Sequence, residues 1–247
     1  METLNHQDMQ SLHEGIQQLY TFCDLDTFGV NALSIVDRLV PGDVPEFHVT
    51  NLNTQQISST FLPNFPGFTA KMKRVMQKHF SEHPVAQHMP QTLDGVYKIS
   101  DFISRQKLDC LEGLYQQFLR LIDTEDQIIF FLPQPNPASW QELSETNAIL
   151  MGFSIHRTWG EFTERDRLVL NLLRPHLFQS HQNAQKYHRL QQNTIDVQQS
   201  IDGLRAIIID SQGRIQSIAS QAAIWLEIYF ERRAGRNPLH SWMGSSL

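Results

Sequence analysis

Residues 162–190, FTERDRLVLNLLRPHLFQSHQNAQKYHRL, read as one long helix with a well-marked start. Thr163 can accept from the backbone N–H of Asp166 while the Asp166 carboxylate reaches back, a capping box with Asp where Glu or Gln is more usual. Beyond the cap, Val169, Leu172, Leu173, His176, Leu177, Ala184 and Tyr187 recur at spacings of three, four and seven, which puts one apolar stripe down one side. That stripe must be buried. Pro175 lies inside the pattern, where it cannot donate to the Asn171 carbonyl and its ring crowds that group, so a bend rather than a break is expected. From Gln179 to Gln199 the composition turns to Gln, Asn and His with sparse apolar positions, too polar for a core helix and too regular for a loop. Two readings stay open for this part: a partner helix or connecting rod, and a solvated helix on a monomer.

Upstream, a helical pattern runs from Gln7 to Cys23, and Asp24 or Asp26 can cap a second helix from Thr27 to Val40, stopped by Pro41-Gly42. Glu46–Leu52 and Gln55–Leu62, separated by Asn53-Thr54, read as an antiparallel hairpin. A Pro/Gly-rich loop leads into a helix from Thr69 to His79, and Pro84–Gln91 is short and irregular. Gly95–Ile99 reads as a strand and Phe102–Ile122 as a helix with Leu108, Leu111, Leu114, Tyr115, Phe118 and Leu119 on its apolar side. Asp126–Leu132, DQIIFFL, is a central strand by length and by its Ile and Phe content. A turn-rich insert, PQPNPASWQEL, separates it from the strand Asn147–His156. After the long helix come a strand Leu204–Asp210, a turn at Ser211-Gln212-Gly213, a strand Arg214–Ile218 and a helix from Ser220 through Phe230. Together these elements predict an α+β fold: an antiparallel sheet covered by helices, a long connecting helix, and a small ββα unit that cannot bury both faces of its ribbon alone.

The 247 residues, 40% hydrophobic, suffice for one large domain or two small ones with a real core. A net charge of −6 argues against a phosphate-gripping surface, and the basic runs Lys71–Arg74 and Arg232–Arg236 read as solvated helix faces or ends. Cys23 and Cys110 fit neither a metal spacing nor a disulfide framework, which points to a reduced, cytoplasmic protein. No signal peptide or apolar span of about 18 residues is seen, so no membrane partner is expected.

Chemistry-bearing motifs are sparse. His79, His83 and His88 form the closest histidine set, and His79 and His83 share a helix face only if the helix persists to Glu82; Pro84 argues against that, and no metal site is expected. His176 is either a core histidine or a ligand contact, with core the simpler reading. There is no nucleophile elbow, phosphate-cradling loop, Cys/His pair or carboxylate pair, and Gly152 stands alone, so neither an enzyme nor a cofactor is expected. Cys110 is not followed by His, which argues against a thioether-linked bilin and for a buried small hydrophobe.

Residues 157–184, RTWGEFTERDRLVLNLLRPHLFQSHQNA, closely resemble the last helix of the GAF-like sensory domain in one group of LuxR-type helix-turn-helix transcriptional regulators. YKISDFISRQKLDCLEGLYQQFLRLIDTEDQIIFFLP (97–133) looks like the middle of the same domain. GLRAIIIDSQGRIQSIASQAAIWLEIYF (203–230), with PLHSW after it, is similar to the short PAS-like piece these regulators carry. The resemblance covers Gln7 to Trp242. It implies a GAF-like sensory domain over 1–178, a helical connector and dimerisation rod over 179–203, and a PAS-like ββα segment over 204–247. It further implies a homodimer paired through Leu177, Ala184, Tyr187 and Leu190, and a small-molecule effector between the sheet and its helices near Tyr97, Tyr115, Phe130, Met151 and Phe153. In that family a helix-turn-helix domain follows the PAS-like piece. None is visible here, so DNA contact is expected only through a domain not present in this chain. The alternative is a stand-alone interaction protein that lacks DNA binding and heterodimerises with a partner.

Overall fold

Strands with apolar residues on both faces need cover on both sides, and that requirement sets the layering. The computed structural model describes residues 3–21, 24–51, 54, 56–65, 67–87, 95–132, 149–204 and 207–231. Two helices come first, α1 (His6–Leu19) and α2 (Leu25–Leu39). α1 begins at a capping box between Asn5 and Asp8, and α2 where the Asp24 carboxylate accepts from the Asp26 N–H. The predicted hairpin follows as β1 (Val44–Asn51) and β2 (Gln56–Phe61), then α3 (Ala70–Lys78), whose first turn is capped by the Thr69 hydroxyl. A 3₁₀ turn, Phe80–Glu82, leads to the short α4 (Pro84–Gln87) and β3 (Val96–Lys98). Next come α5 (Arg105–Asp109), α6 (Leu114–Gln117), β4 (Asp126–Phe131), β5 (Ile149–Arg157) and α7 (Glu164–Leu204). The five strands form one antiparallel sheet in the order β2-β1-β5-β4-β3.

Alternation along the strands sorts the side chains into two cores. Phe47, Ile128, Phe130, Phe153 and Ile155 meet α1, α2 and the first half of α7, through Leu19, Phe28, Leu33, Val36, Val169, Leu173 and Leu177. On the other face, Val44 joins Phe68, Leu108, Leu114, Tyr115, Phe118 and Leu119 in a second cluster.

The cap of α7 forms as its sequence predicts. The Asp166 N–H donates to Thr163 Oγ1 at 3.2 Å and the Thr163 N–H to Asp166 Oδ2 at 3.1 Å. The same carboxylate accepts from buried Arg157 at 3.0 Å, and Asp126 accepts from the Phe162 N–H at 3.0 Å, so the cap is tied to the ends of β5 and β4. The helix continues through Pro175 without a break. Its buried stripe keeps Val169, Leu173, Leu177 and Ala184 of the expected one and is shifted to one side of it. Leu170, Leu173, Leu177, Ser180, His181 and Ala184 face inward, while Leu172 is 41% exposed. Two polar residues are tolerated in the stripe because each finds a partner. Ser180 Oγ donates to the Leu19 carbonyl at 2.7 Å, and the His181 ring packs edge-on against Phe28. His176 is half-buried, its Nδ1 2.9 Å from the Tyr20 hydroxyl.

The predicted helix over 102–122 is instead α5, α6 and a 3₁₀ turn at Leu119–Ile122. At Gly113 a Cβ would lie 2.0 Å from His79 Nδ1 and 2.4 Å from Glu82 Oε1, so only glycine lets that pair approach. Glu82 Oε2 then accepts from the Leu114 N–H at 2.9 Å and starts α6 afresh. The apolar spacing survives because each short turn shows the same side to the core.

The chain divides into two compact units, Met1–Gln185 and Lys186–Leu247. In the second, β6 (Ile207–Ile209) pairs antiparallel with β7 (Ile215–Ile218), and α8 (Ser220–Glu231) follows. The Asp210 carboxylate organises the turn by accepting from the N–H groups of Gln212 and Arg214, with Gly213 at φ +79°. The predicted insert at 133–143, His88, Cys23 and the PLHSW segment lie outside the described residues. No described helix is long and apolar enough to cross a membrane.

Candidate ligand site

The sheet face turned away from α1, α2 and α7 carries an unusual run of polar residues for a buried surface. Glu46, His48 and Thr50 alternate along β1, Ser154 and His156 along β5, and Gln127 stands on β4. Register brings them together: Glu46 lies opposite Ser154, His48 opposite Gly152, and Gln127 opposite His156. Above them, Met76, Phe80, Val85, Leu114, Phe118 and Leu119, from α3, the turn after it, α4 and the α6 region, complete a cavity of about 60 Å³. By liquid volume that is space for about two waters.

Three histidines border this space, and two are locked neutral in a directed chain. The Val85 N–H donates to His83 Nδ1 at 3.2 Å, so the ring proton sits on Nε2, which donates to Gln127 Oε1 at 2.7 Å. The Gln127 amide donates to His156 Nε2 at 3.1 Å, leaving the Nδ1 proton of His156 for Thr124 Oγ1 at 3.2 Å. A second proton on either ring would set two donors face to face. Burial lowers the His83 pKa to about 4 and, with the His83 and His48 charges adding, that of His156 to about 3. His48 falls to about 4 by burial and then by the neighbouring His83 charge.

Glu46 and His48 stand outside that chain. Glu46 is 4% exposed; Ser154 Oγ donates to its Oε2 at 3.1 Å, and among the described residues Oε1 has no partner at hydrogen-bond distance. Burial pushes its carboxyl up from the usual range, with Ser59, Ser154 and Lys73 pulling the other way. The His48 ring fits over Gly152, where a Cβ would come 2.7 Å from its Nε2, and meets Phe131 edge-on.

The five expected ligand residues lie elsewhere. Phe130 and Phe153 stack with centroids 5.2 Å apart in the core facing α1, α2 and α7, and Met151 packs against the same core. They miss the cavity by one residue of register, since their strand neighbours Ile129, Phe131 and Ser154 line it. Tyr97 turns its hydroxyl to the Gly95 N–H, and Tyr115 sits in the second core cluster under the Arg105 guanidinium. Of the expected pairing residues, Leu177 and Ala184 are buried within their own unit, whereas Tyr187 and Leu190 are 47% and 65% exposed. His79 pairs with Glu82, and among the described residues no three His, Cys, Asp or Glu side chains gather as metal ligands would. The sequence did hold a signal for the real cavity: polar residues at every second position of otherwise apolar strands.

No protein-family model matches the chain, and no curated protein matches it. Among solved structures it is similar to the bacteriophytochrome RpBphP3 from the photosynthetic bacterium R. palustris, with a TM-score of 0.50 and 11% identity, over 82% of this chain and 43% of that one. The phycoerythrobilin-bound GAF domain of a cyanobacterial phytochrome is similar over 76% of this chain and 100% of its own, at 10% identity and a TM-score of 0.47. The fold is GAF-like. The VqsR LBD domain from Pseudomonas aeruginosa is similar over 74% of this chain and 96% of its own, at 12% identity and a TM-score of 0.46. At such identities the likeness speaks to fold alone.

Proposed function

We propose that this chain is the non-enzymatic sensory region of a cytoplasmic, LuxR-type transcriptional regulator, with a small effector held between the sheet and α3, α4 and α6. In this reading residues 1–178 are the sensory domain, 179–203 a connecting and pairing rod, and 204–247 a PAS-like segment. The observation that carries it is the cavity. Its walls are apolar and its polar end holds a buried carboxyl with an oxygen unpartnered among the described residues, which an ordinary filled core has no use for. The three sequence blocks that resemble the LuxR-type regulators, met in order, support the regulatory part of the reading.

A thermal-shift screen of metabolites tests it, followed by calorimetric titration of whatever responds. At least one chemical class should raise Tm by several degrees, and Ala86→Met, which adds volume at the cavity wall, should abolish the response without lowering helix content. A Tm insensitive to every compound, or a response that Ala86→Met leaves intact, would place sensing elsewhere or remove it.

A further inference from the structure

Resting on that reading, we infer that the cavity takes a small primary amine as its cation, held by Glu46 Oε1 and the His48 ring. Glu46 lines the cavity, is 4% exposed, and leaves Oε1 without a hydrogen-bond partner among the described residues. A buried carboxylate oxygen calls for a donor. None of the other groups lining the cavity supplies one, and the Ser59 hydroxyl, outside the lining but beside the carboxyl, is itself without a partner among the described residues. His83, Gln127 and His156 satisfy one another, and Ser154 serves Oε2.

Among the described residues no lysine or arginine lines the cavity, and Lys73 reaches the Glu46 carboxyl only through its charge from outside the lining, so a carboxylate or phosphate ligand would be buried beside a carboxyl with no cation in the cavity to meet it. An ammonium reverses that balance. It gives the Glu46 carboxylate a charge partner at close range, while Ser59 and Ser154, both beside the carboxyl, stabilise its ionised form. His48, held neutral, offers a further acceptor for an ammonium N–H. Phe80, Phe118 and Phe131 present aromatic surface to the same space, which suits a cation with a short carbon chain. The size of about 60 Å³ matches an ammonium group with one or two carbons; longer chains have to displace the wall formed by Met76 and Phe80.

The test uses the whole protein, labelled with ¹⁵N, and three matched probe series at neutral pH: methyl-, ethyl- and propylammonium; ethanol and propanol; acetate and propionate. The amines should shift the amide signals of Gly152 and Ser154 in a saturable, millimolar fashion, and the carboxylates should leave them unmoved. Glu46→Gln, close in shape and still able to accept a hydrogen bond, should weaken amine binding at least about thirtyfold. Because the wild-type series stands alone, a variant that fails to fold does not decide the matter. Alcohols or carboxylates that shift these amides while amines do not would overturn the amine assignment and leave a ligand-sensing cavity in place. If none of the probes moves them, the amine assignment fails, and the sensory reading then rests on the metabolite screen alone.

Discussion

Three buried, neutral histidines make this fold sensitive to acid. An ordinary histidine titrates near pH 6.5, whereas burial holds His48 and His83 at about 4 and His156 at about 3. Between those limits the unfolded chain takes up protons that the folded chain refuses. Their contribution is therefore fully present above pH 6.5 and is lost as pH falls toward 4. One ring shifted from 6.5 to about 4 loses on the order of 2 kcal/mol by pH 5. Glu46 and Asp126, raised by burial, work in the opposite sense, because the folded chain protonates them first. The net loss is then smaller than three rings would give. Urea midpoints should fall between pH 7.5 and 5.0, and His156→Gln, which removes one ring, should flatten the profile. A midpoint that holds steady or rises over that range would show that the rings titrate normally in the fold.

At the scale of elements, the start of α7 is where local sequence and long-range packing agree. Asp166 both closes the cap on Thr163 and neutralises Arg157, whose side chain is 5% exposed. Arg157 also donates to the Pro41 carbonyl and stacks on Phe162, so it cannot swing out to water cheaply. Asp166→Asn should therefore cost about 3 kcal/mol or more, since it leaves a buried cation unpaired. Thr163→Ala, which removes only a cap acceptor, should cost about 1 kcal/mol. Equal effects in chemical denaturation would mean that the ion pair adds nothing to the cap. The contrast also explains what could be read from the residues. Caps, strand runs and the hairpin are local, and Thr163, Asp24, Thr69 and DQIIFFL mark their elements directly. The break at Gly113 was hidden because its cause, the Glu82 carboxylate that accepts from Leu114, lies 32 positions away from Leu114 along the chain. The cavity was hidden for a related reason. Phe130 and Phe153 are the conspicuous residues of their strands, yet which face they take depends on pairing register, and the residues beside them are the ones that line it.

For the whole molecule, the open matter is what the second half of α7 does. Leu177 and Ala184 are buried in their own unit, so the proposed pairing of protomers falls to the residues beyond them. Tyr187, Leu190, Thr194 and Val197 follow at steps of three, four and three, the seam spacing of a two-stranded coiled coil. Tyr187, Leu190 and Val197 are 47%, 65% and 58% exposed. A helix with such a row in water gains by covering it, at about 25 cal/mol for each Å² of apolar surface removed. The polar residues around the row keep the gain modest, so the pairing should depend on protein concentration. Light scattering on the whole chain should give twice 28.6 kDa at tens of micromolar. Leu190→Asp with Val197→Asp should give the single mass, with little change in the unfolding temperature of the sheet domain, whose core contains neither residue. A wild-type chain that stays monomeric at that concentration would return this helix to the other reading of its sequence, a solvated helix on a monomer. A dimer unmoved by the double substitution would place the interface on another surface.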